Sequence, residues 1–218
     1  MRHIQLLDSL PKPKRNIEKR LESKDPKVIA IAKQYGQLYW DGPRDYGYGG
    51  YYYDGRWRSV AKDIIDIYEL RDGHRILDVG CGKGFLLKDL LLENKNLNIF
   101  GLDISQYAIN NSEEEVFGRI HLGTAESLPF PDNSFDFVIS LNTIHNFKRN
   151  NAIKAVKEIE RVSKGKSFIQ VDSYYNEKQK EIFESWVLTA EYYDYPEEWL
   201  KLYKEAGYTG DYDWTIIE

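Results

Sequence analysis

The sequence predicts an α/β protein: a doubly wound, mostly parallel sheet with an N-terminal helical and loop cap and a helical insertion after the fifth strand. Three observations carry this. Short apolar runs of strand length alternate with helical stretches from residue 75 to residue 171. A glycine-rich turn, Gly80-Cys81-Gly82-Lys83-Gly84, joins the first of those runs directly to a helix. The chain has 218 residues, 42% hydrophobic and 30% charged, which suits one domain with a substantial core.

The first residues read as helical, broken at Asp25-Pro26, where Asp caps and Pro takes the first turn. Val28, Ile31, Ala32 and Tyr35 then share one helical face. Residues 40–57, WDGPRDYGYGGYYYDGRW, are too rich in glycine and aromatics for regular structure. Trp57, Val60, Ala61, Ile64, Ile65 and Tyr68 form the apolar stripe of the next helix, which Gly73 stops. Strands follow at 75–79, 98–103, 119–122, 135–140 and 167–171. Between them lie helices at 85–92, from Ser105 toward Glu115, and at 152–162. After Asp172 the rhythm changes to helices at 177–190 and 196–206, the second ended by Gly207, and a strand-like tail at 214–217. The chain thus divides into a cap or lid (1–57), a core (58–172), an insertion with the last helix (173–207) and a terminal strand (208–218).

Bulk charge excludes some classes of partner. The formal net charge of −5 leaves no electrostatic footprint for nucleic acid or an anionic membrane. Basic residues gather at Lys12, Lys14, Arg15, Lys19 and Arg20, but Glu18 and Glu22 interleave with them, as on a solvated helix face. Cys81 is the single cysteine, so no intramolecular disulfide forms. Apolar runs fall short of the ~20 residues of a membrane span. Arg2, His3, Gln5 and Asp8 replace the apolar core of a signal segment. The expectation is a cytoplasmic protein acting on a small molecule.

The chemistry concentrates around the glycine turn. Three alternating glycines let the backbone bend sharply and let a ligand lie against it. A dinucleotide fingerprint would require glycine where Phe85 stands. Asp78, beside the turn, would also repel a pyrophosphate. A ligand with an ammonium, a sulfonium and no phosphate, such as S-adenosylmethionine, would be attracted instead. Asp103 ends the next strand about 20 residues on, where a carboxylate accepts from ribose hydroxyls; Ser105 is free to cap the helix that follows.

The runs DVGCGKG, GLDIS and GTAESLPFPDNSFDFVISLNTIHNF together resemble the core of the class I S-adenosylmethionine-dependent methyltransferases, over residues 75–172. The resemblance implies that Asp78, Gly80 and Gly82 line the methionine end of S-adenosylmethionine. Asp103 and Ile104 would hold the ribose and flank the adenine, Ala125 and Glu126 would contact the adenine, and Asn142 would lie near the donor methionine. Many relatives carry Asp where this chain has Thr124, whose hydroxyl bonds an adenine amine more weakly. The product would be S-adenosylhomocysteine.

His145, just past the fourth strand, would sit at the substrate mouth, either as a general base or as a hydrogen-bonded wall. Residues 40–57 read as a lid over a polar ligand, with Arg44, Tyr46, Tyr48, Tyr51 and Arg56 as substrate contacts. The alternatives are a packed cap, with the arginines paired to Asp41, Asp45 or Asp54. Asp172 and Tyr174 would face the same crevice from the fifth strand, and Trp186 would wall it.

The resemblance extends to small methyltransferases that tailor bacterial surface glycans, with YGYGGYYYDGRW as the main likeness, and implies a sugar or nucleotide-activated sugar acceptor. Protein side-chain methylation and a non-catalytic cofactor-binding protein are the alternatives. In that family the sheet closes with an antiparallel hairpin; here only residues 208–218 follow the last helix, enough for one edge strand.

Overall fold

The alternation of apolar residues along the strands lets both faces of one sheet be buried at once. The computed structural model describes residues 1–11 and 15–217. Its sheet has six strands: β1 (Arg75–Val79), β2 (Asn98–Asp103), β3 (Ile120–Leu122), β4 (Phe137–Leu141), β5 (Ser167–Ser173) and β6 (Asp211–Ile216). They run in the order β3-β2-β1-β4-β5-β6, and every pairing is parallel. The edge is therefore one strand, as its length implied, but parallel to its neighbour where the family's hairpin is antiparallel.

Ile76 of β1, Phe137 and Ile139 of β4 and Phe168 of β5 face helices α4 (Arg58–Ile67) and α5 (Phe85–Glu93). Leu77, Val79, Val138 and Ile169 point the other way, onto α7 (Arg149–Val162) and α9 (Pro196–Ala206). Strand order reverses between β1 and β4, and the crevice at their carboxyl ends is where an open α/β sheet takes its ligand.

Three helices open the chain: α1 (Ile17–Ser23), α2 (Pro26–Ala32) and α3 (Gln37–Trp40). The first residues are not helical. Residues 2–4 lie along the free edge of β6, where the Arg2 carbonyl and the Ile4 amide bond Tyr212. Two further helices are shorter than their patterns predict. α6 (Gln106–Asn110) stops early, capped by Asn111, whose backbone and side-chain amides both donate to the Tyr107 carbonyl (3.1 and 2.8 Å). α8 (Glu177–Trp186) ends before residue 190: Val187 turns to an extended conformation, and the Glu191 and Tyr192 amides farther on donate to the His145 carbonyl (2.9 and 3.1 Å).

The cap and the insertion pack on each other above the crevice. Val28 and Ala32 of α2 meet Leu188, while Ile17 of α1 packs with Phe183 and Trp186 of α8. Among the described residues no helix is long and apolar enough to cross a membrane.

Trp199 and Tyr203 of α9 are fully buried, and the Tyr203 hydroxyl has no hydrogen-bond partner among the described residues. Removing an unsatisfied buried hydroxyl relieves its desolvation cost of about 1–3 kcal/mol. Tyr203→Phe is therefore expected to raise the urea midpoint by the equivalent of about 1 kcal/mol. A lower midpoint would mean that the hydroxyl has a partner.

Candidate active site

The glycine turn is built so that backbone, not side chain, occupies the floor of the crevice. Gly80 has φ +85°, and a Cβ there would fall 1.9 Å from Thr143 Oγ1. The Gly80 and Cys81 amides both donate to the Leu102 carbonyl (2.7 and 3.2 Å). Gly82 donates to Asp103 Oδ2 (2.6 Å), and Ser105 donates to Asp103 Oδ1 (2.8 Å). Burial raises the Asp103 carboxyl above its ordinary value, and these amide bonds oppose the rise. Each oxygen keeps a second lone pair for a further donor.

Asp78 stands opposite. It is 4% exposed, and among the described residues its carboxylate makes no hydrogen bond to protein. Burial, with the charge of Asp103, pushes it up to about 8. At neutral pH such a group is held mostly as the neutral acid, and a cation brought beside it would favour the ionised carboxylate. Cys81 is raised further by burial and the same carboxylates, so it is an unreactive thiol that packs under Gly101.

Residues 40–57 lie in this crevice. Trp40 is buried over Gly82, and its indole N–H donates to the Tyr35 carbonyl and to Ser105 Oγ (both 2.9 Å). Tyr48 stacks on Trp40 with ring centroids 5.3 Å apart, and Tyr51 stacks on Phe85 at 4.6 Å. A latch holds the segment down: Lys83 Nζ donates to both Asp41 oxygens (2.8 and 2.7 Å) and to the Tyr51 carbonyl (2.9 Å), and the Tyr107 hydroxyl also reaches Asp41 (2.9 Å). Burial alone would raise Asp41, but Lys83, Tyr51 and Tyr107 hold it below its usual range. Trp40, Tyr48, Tyr51, Asp78, Gly80 and Asn142 enclose a cavity of about 60 Å³.

At the other wall, His145 is 4% exposed. Its Nδ1 accepts from the Asp172 amide (3.0 Å), so in the neutral ring Nε2 carries the proton. Burial lowers its pKa, and the Asp172 carboxylate, 3.8 Å from Nδ1, only partly opposes this. The ring is thus a neutral Nε2–H donor, which favours the hydrogen-bonded wall over the general base. Asp172 is raised by burial and lowered again by His145 and Arg15.

Asn142, at φ +53° after β4, lines the cavity, and its amide donates to Gln170 Oε1 (3.0 Å). Ile104 is 57% exposed at the end of β2, open to flank a ring. Ala125 is buried and Glu126 half-buried past β3, next to β2 but outside the cavity lining.

Three expected substrate contacts are placed elsewhere. Tyr46 packs on the Val28–Leu188 cluster of the cap, because it sits in a short 3-10 turn against α2. Arg56 is held by Asp54 on the surface (2.8 and 2.9 Å), the pairing two residues apart that its neighbours allowed. Tyr174, 3% exposed, is core between α8 and the chain end.

The basic run also differs from expectation. Lys12 and Lys14 lie outside the described residues, but Arg20 is only 6% exposed and Arg15 half-buried, not on a solvated face. The acidic neighbours Glu18 and Glu22 hid them. Lys83 was likewise passed over, though a lysine inside a glycine turn is an unusual residue to place beside a ligand. Among the described residues no three His, Cys, Asp or Glu side chains converge as metal ligands.

Residues 77–170 match the family described as "Methyltransferase domain". The uncharacterized methyltransferase YcgJ of Bacillus subtilis is 37% identical over 120 residues, covering 51% of this chain and 45% of that protein. Its crystal structure superposes with a TM-score of 0.52 at 26% identity, covering 67% of this chain and 66% of that one. The mitochondrial arginine-hydroxylase NDUFAF5 of Rattus norvegicus is 38% identical over 87 residues, covering 39% and 24%. Phosphoethanolamine N-methyltransferase of Triticum aestivum is 30% identical over 94 residues, covering 39% and 18%. The chain spans less than half the length of each of these curated relatives. The match over residues 77–170, the parallel sheet and the carboxylate-flanked glycine turn together give the chain the Rossmann-like fold of the class I S-adenosylmethionine-dependent methyltransferases.

Proposed function

We propose that the protein transfers a methyl group from S-adenosylmethionine to an oxygen or nitrogen of a small polar metabolite, with a sugar or nucleotide-activated sugar as acceptor. The observation that carries this is the pair of buried carboxylates flanking the glycine turn, Asp78 without a protein partner and Asp103 fixed by two amides. That donor set suits a ligand with cationic groups at one end and vicinal hydroxyls farther along. When bound, S-adenosylmethionine supplies an electrophilic methyl group on a sulfonium. Asp78 would balance the cationic methionine end, Gly80 and Gly82 would allow close approach, and Asp103 would accept from the ribose.

The cavity of about 60 Å³ is well below the roughly 300 Å³ or more that small-molecule sites enclose. Trp40, Tyr48 and Tyr51 therefore move aside on binding, and the Lys83–Asp41 latch marks the contact that yields. Returned over the ligand, the same aromatics exclude water. At the acceptor wall, His145 Nε2–H orients the acceptor, and the nearby Asp172 carboxylate is the better placed group to take its proton. Alignment of donor and acceptor supplies much of the acceleration in such an in-line transfer.

Calorimetry with S-adenosylhomocysteine tests the cofactor reading: the wild type should bind, and Asp103→Ala should weaken binding by about 1–3 kcal/mol. No binding to the wild type at millimolar concentration would remove the proposal.

A second expectation concerns pH. An unfolded aspartate releases its proton near ~3.9, whereas Asp78 in the folded chain holds it up to about 8. Between those values the folded state binds the extra proton, so this residue's contribution to stability falls as pH rises. Asp78→Asn should match the ligand-free wild type near pH 4 and exceed its melting temperature at pH 8, while binding S-adenosylhomocysteine at least tenfold more weakly. Equal melting temperatures at both values would mean that Asp78 is not a buried, proton-holding group.

For the acceptor wall, turnover separates the two roles. Asp172→Asn should slow methyl transfer by roughly 10²-fold or more, and His145→Gln by about tenfold at most, both with unchanged S-adenosylhomocysteine affinity. The reverse order would restore His145 as the base.

A further inference from the structure

Three guanidinium groups gather on one tryptophan beside the acceptor wall. The Cζ atoms of Arg15, Arg20 and Arg44 lie 5.8, 4.8 and 5.0 Å from the centre of the Trp186 ring. They come from three separate places in the chain, the approach to α1, α1 itself and the turn after α3, brought together where α1 packs on α8. Such convergence is not forced by sequence neighbourhood. Among the described residues none of the three makes an ion pair with a carboxylate within 4.0 Å.

Their protein partners are few and neutral. Arg20 donates to the carbonyls of Asp45 (2.7 Å) and Gly47 (3.3 Å), and Arg44 donates to the Gly47 carbonyl. Burial lowers all three below the ordinary arginine value; Arg44 lowers Arg20 further, and Arg15 lowers Arg44. Asp172 acts on Arg15 and Asp45 on Arg20, so the repulsion is only partly offset. Three like charges held together, Arg20 buried and Arg15 half-buried, repel one another unless an anion joins them.

The cluster lies within electrostatic range of the crevice. Arg44 is exposed, and Tyr48, 40% exposed, is the residue between the two regions: its hydroxyl is raised by burial and is within range of the charges of Asp103, Asp172 and Arg44. Arg15 lies within range of Asp172, the residue whose amide holds His145.

Resting on the methyl-transfer reading above, we infer that Arg15, Arg20 and Arg44, set around Trp186, form an anion site that holds a phosphate or carboxylate group of the methyl acceptor. Trp186 keeps the guanidinium planes in place through its ring face, and guanidinium forks match both oxyanions. A cationic acceptor, such as a lysine or arginine side chain of a protein, would be repelled from the same wall. Arg15, Arg20, Arg44 and Trp186 thereby become determinants of acceptor choice, and within the proposed class they select an acidic or phosphorylated acceptor, such as a nucleotide-activated sugar, over a neutral one.

The test titrates inorganic pyrophosphate, and separately succinate, into the full chain saturated with S-adenosylhomocysteine, following tryptophan emission and heat. Arg15→Gln and Arg44→Gln are the variants used, because Arg20 is tied to two backbone carbonyls and its loss would disturb the fold. Pyrophosphate or succinate should bind the wild type with an affinity that falls as salt is raised, the tighter of the two naming the oxyanion. Each variant should weaken that binding at least tenfold, with S-adenosylhomocysteine affinity unchanged, while Arg56→Gln should leave both alone. Trp186→Phe should remove the emission change. Normal S-adenosylhomocysteine binding with no response to either anion, or with responses unaltered in the Arg15→Gln, Arg44→Gln double variant, would overturn the anion site alone. Failure of the wild type to bind S-adenosylhomocysteine would overturn the cofactor reading, and this one with it.

Discussion

Asp103 anchors the crevice. Its two oxygens take the amides of Gly82 and Ser105, one from the turn after β1 and one from the start of α6, and so tie the first two crossovers of the sheet to a single carboxylate. The turn can lie there only because Gly80 has no Cβ to meet Thr143 and because the Leu102 carbonyl takes two of its amides. Everything above follows from that placement. Asp78 is left facing Asp103 across the turn, and Trp40 finds a flat seat on Gly82 and a hydrogen bond to Ser105.

The roof of the crevice is made by two segments far apart in the chain. The cap supplies α1 and α2, the insertion supplies α8 and Leu188, and neither has enough apolar surface to be stable alone at that length. Their mutual packing gives a Rossmann-like sheet, general to many chemistries, a particular roof. The strand ends position Asp78 and Asp103. The roof, built from residues with no role in the sheet, would position the proposed acceptor.

The polar groups of the two sides are arranged in opposite charge. Carboxylates, Asp78 and Asp103, dominate the floor around the glycine turn, and guanidinium groups dominate the roof at Trp186. Tyr48 stands between them, with its ring on Trp40. In the proposed reading, a site polarised in this way would orient an acceptor whose anionic end and nucleophilic end are separate, and its low-dielectric walls would strengthen both attractions.

Local chemistry made the glycine turn and its flanking carboxylates legible before any fold was known. Strand length, glycine spacing and the acidic residues closing two successive strands are short-range patterns, and Asp78, Gly80, Gly82, Asp103 and Asn142 stand around the turn as those patterns require. The order of elements was likewise written in the period of the apolar residues, with errors at the ends of α6 and α8, which stop earlier than the apolar pattern. The acceptor half was not legible in the same way. Tyr46, Arg56 and Tyr174 have the residue types of a binding wall yet pack, pair or bury elsewhere, while Arg15 and Arg20 look like surface and are drawn inward. The reason is physical: strand ends and tight turns are decided within a few residues, whereas which face of α1 meets α8, and whether Nδ1 of His145 accepts an amide, are decided by contacts between segments more than a hundred residues or one strand apart. Sequence alone determined the sheet and its carboxylate-flanked turn; tertiary packing decided which charges gather at the roof.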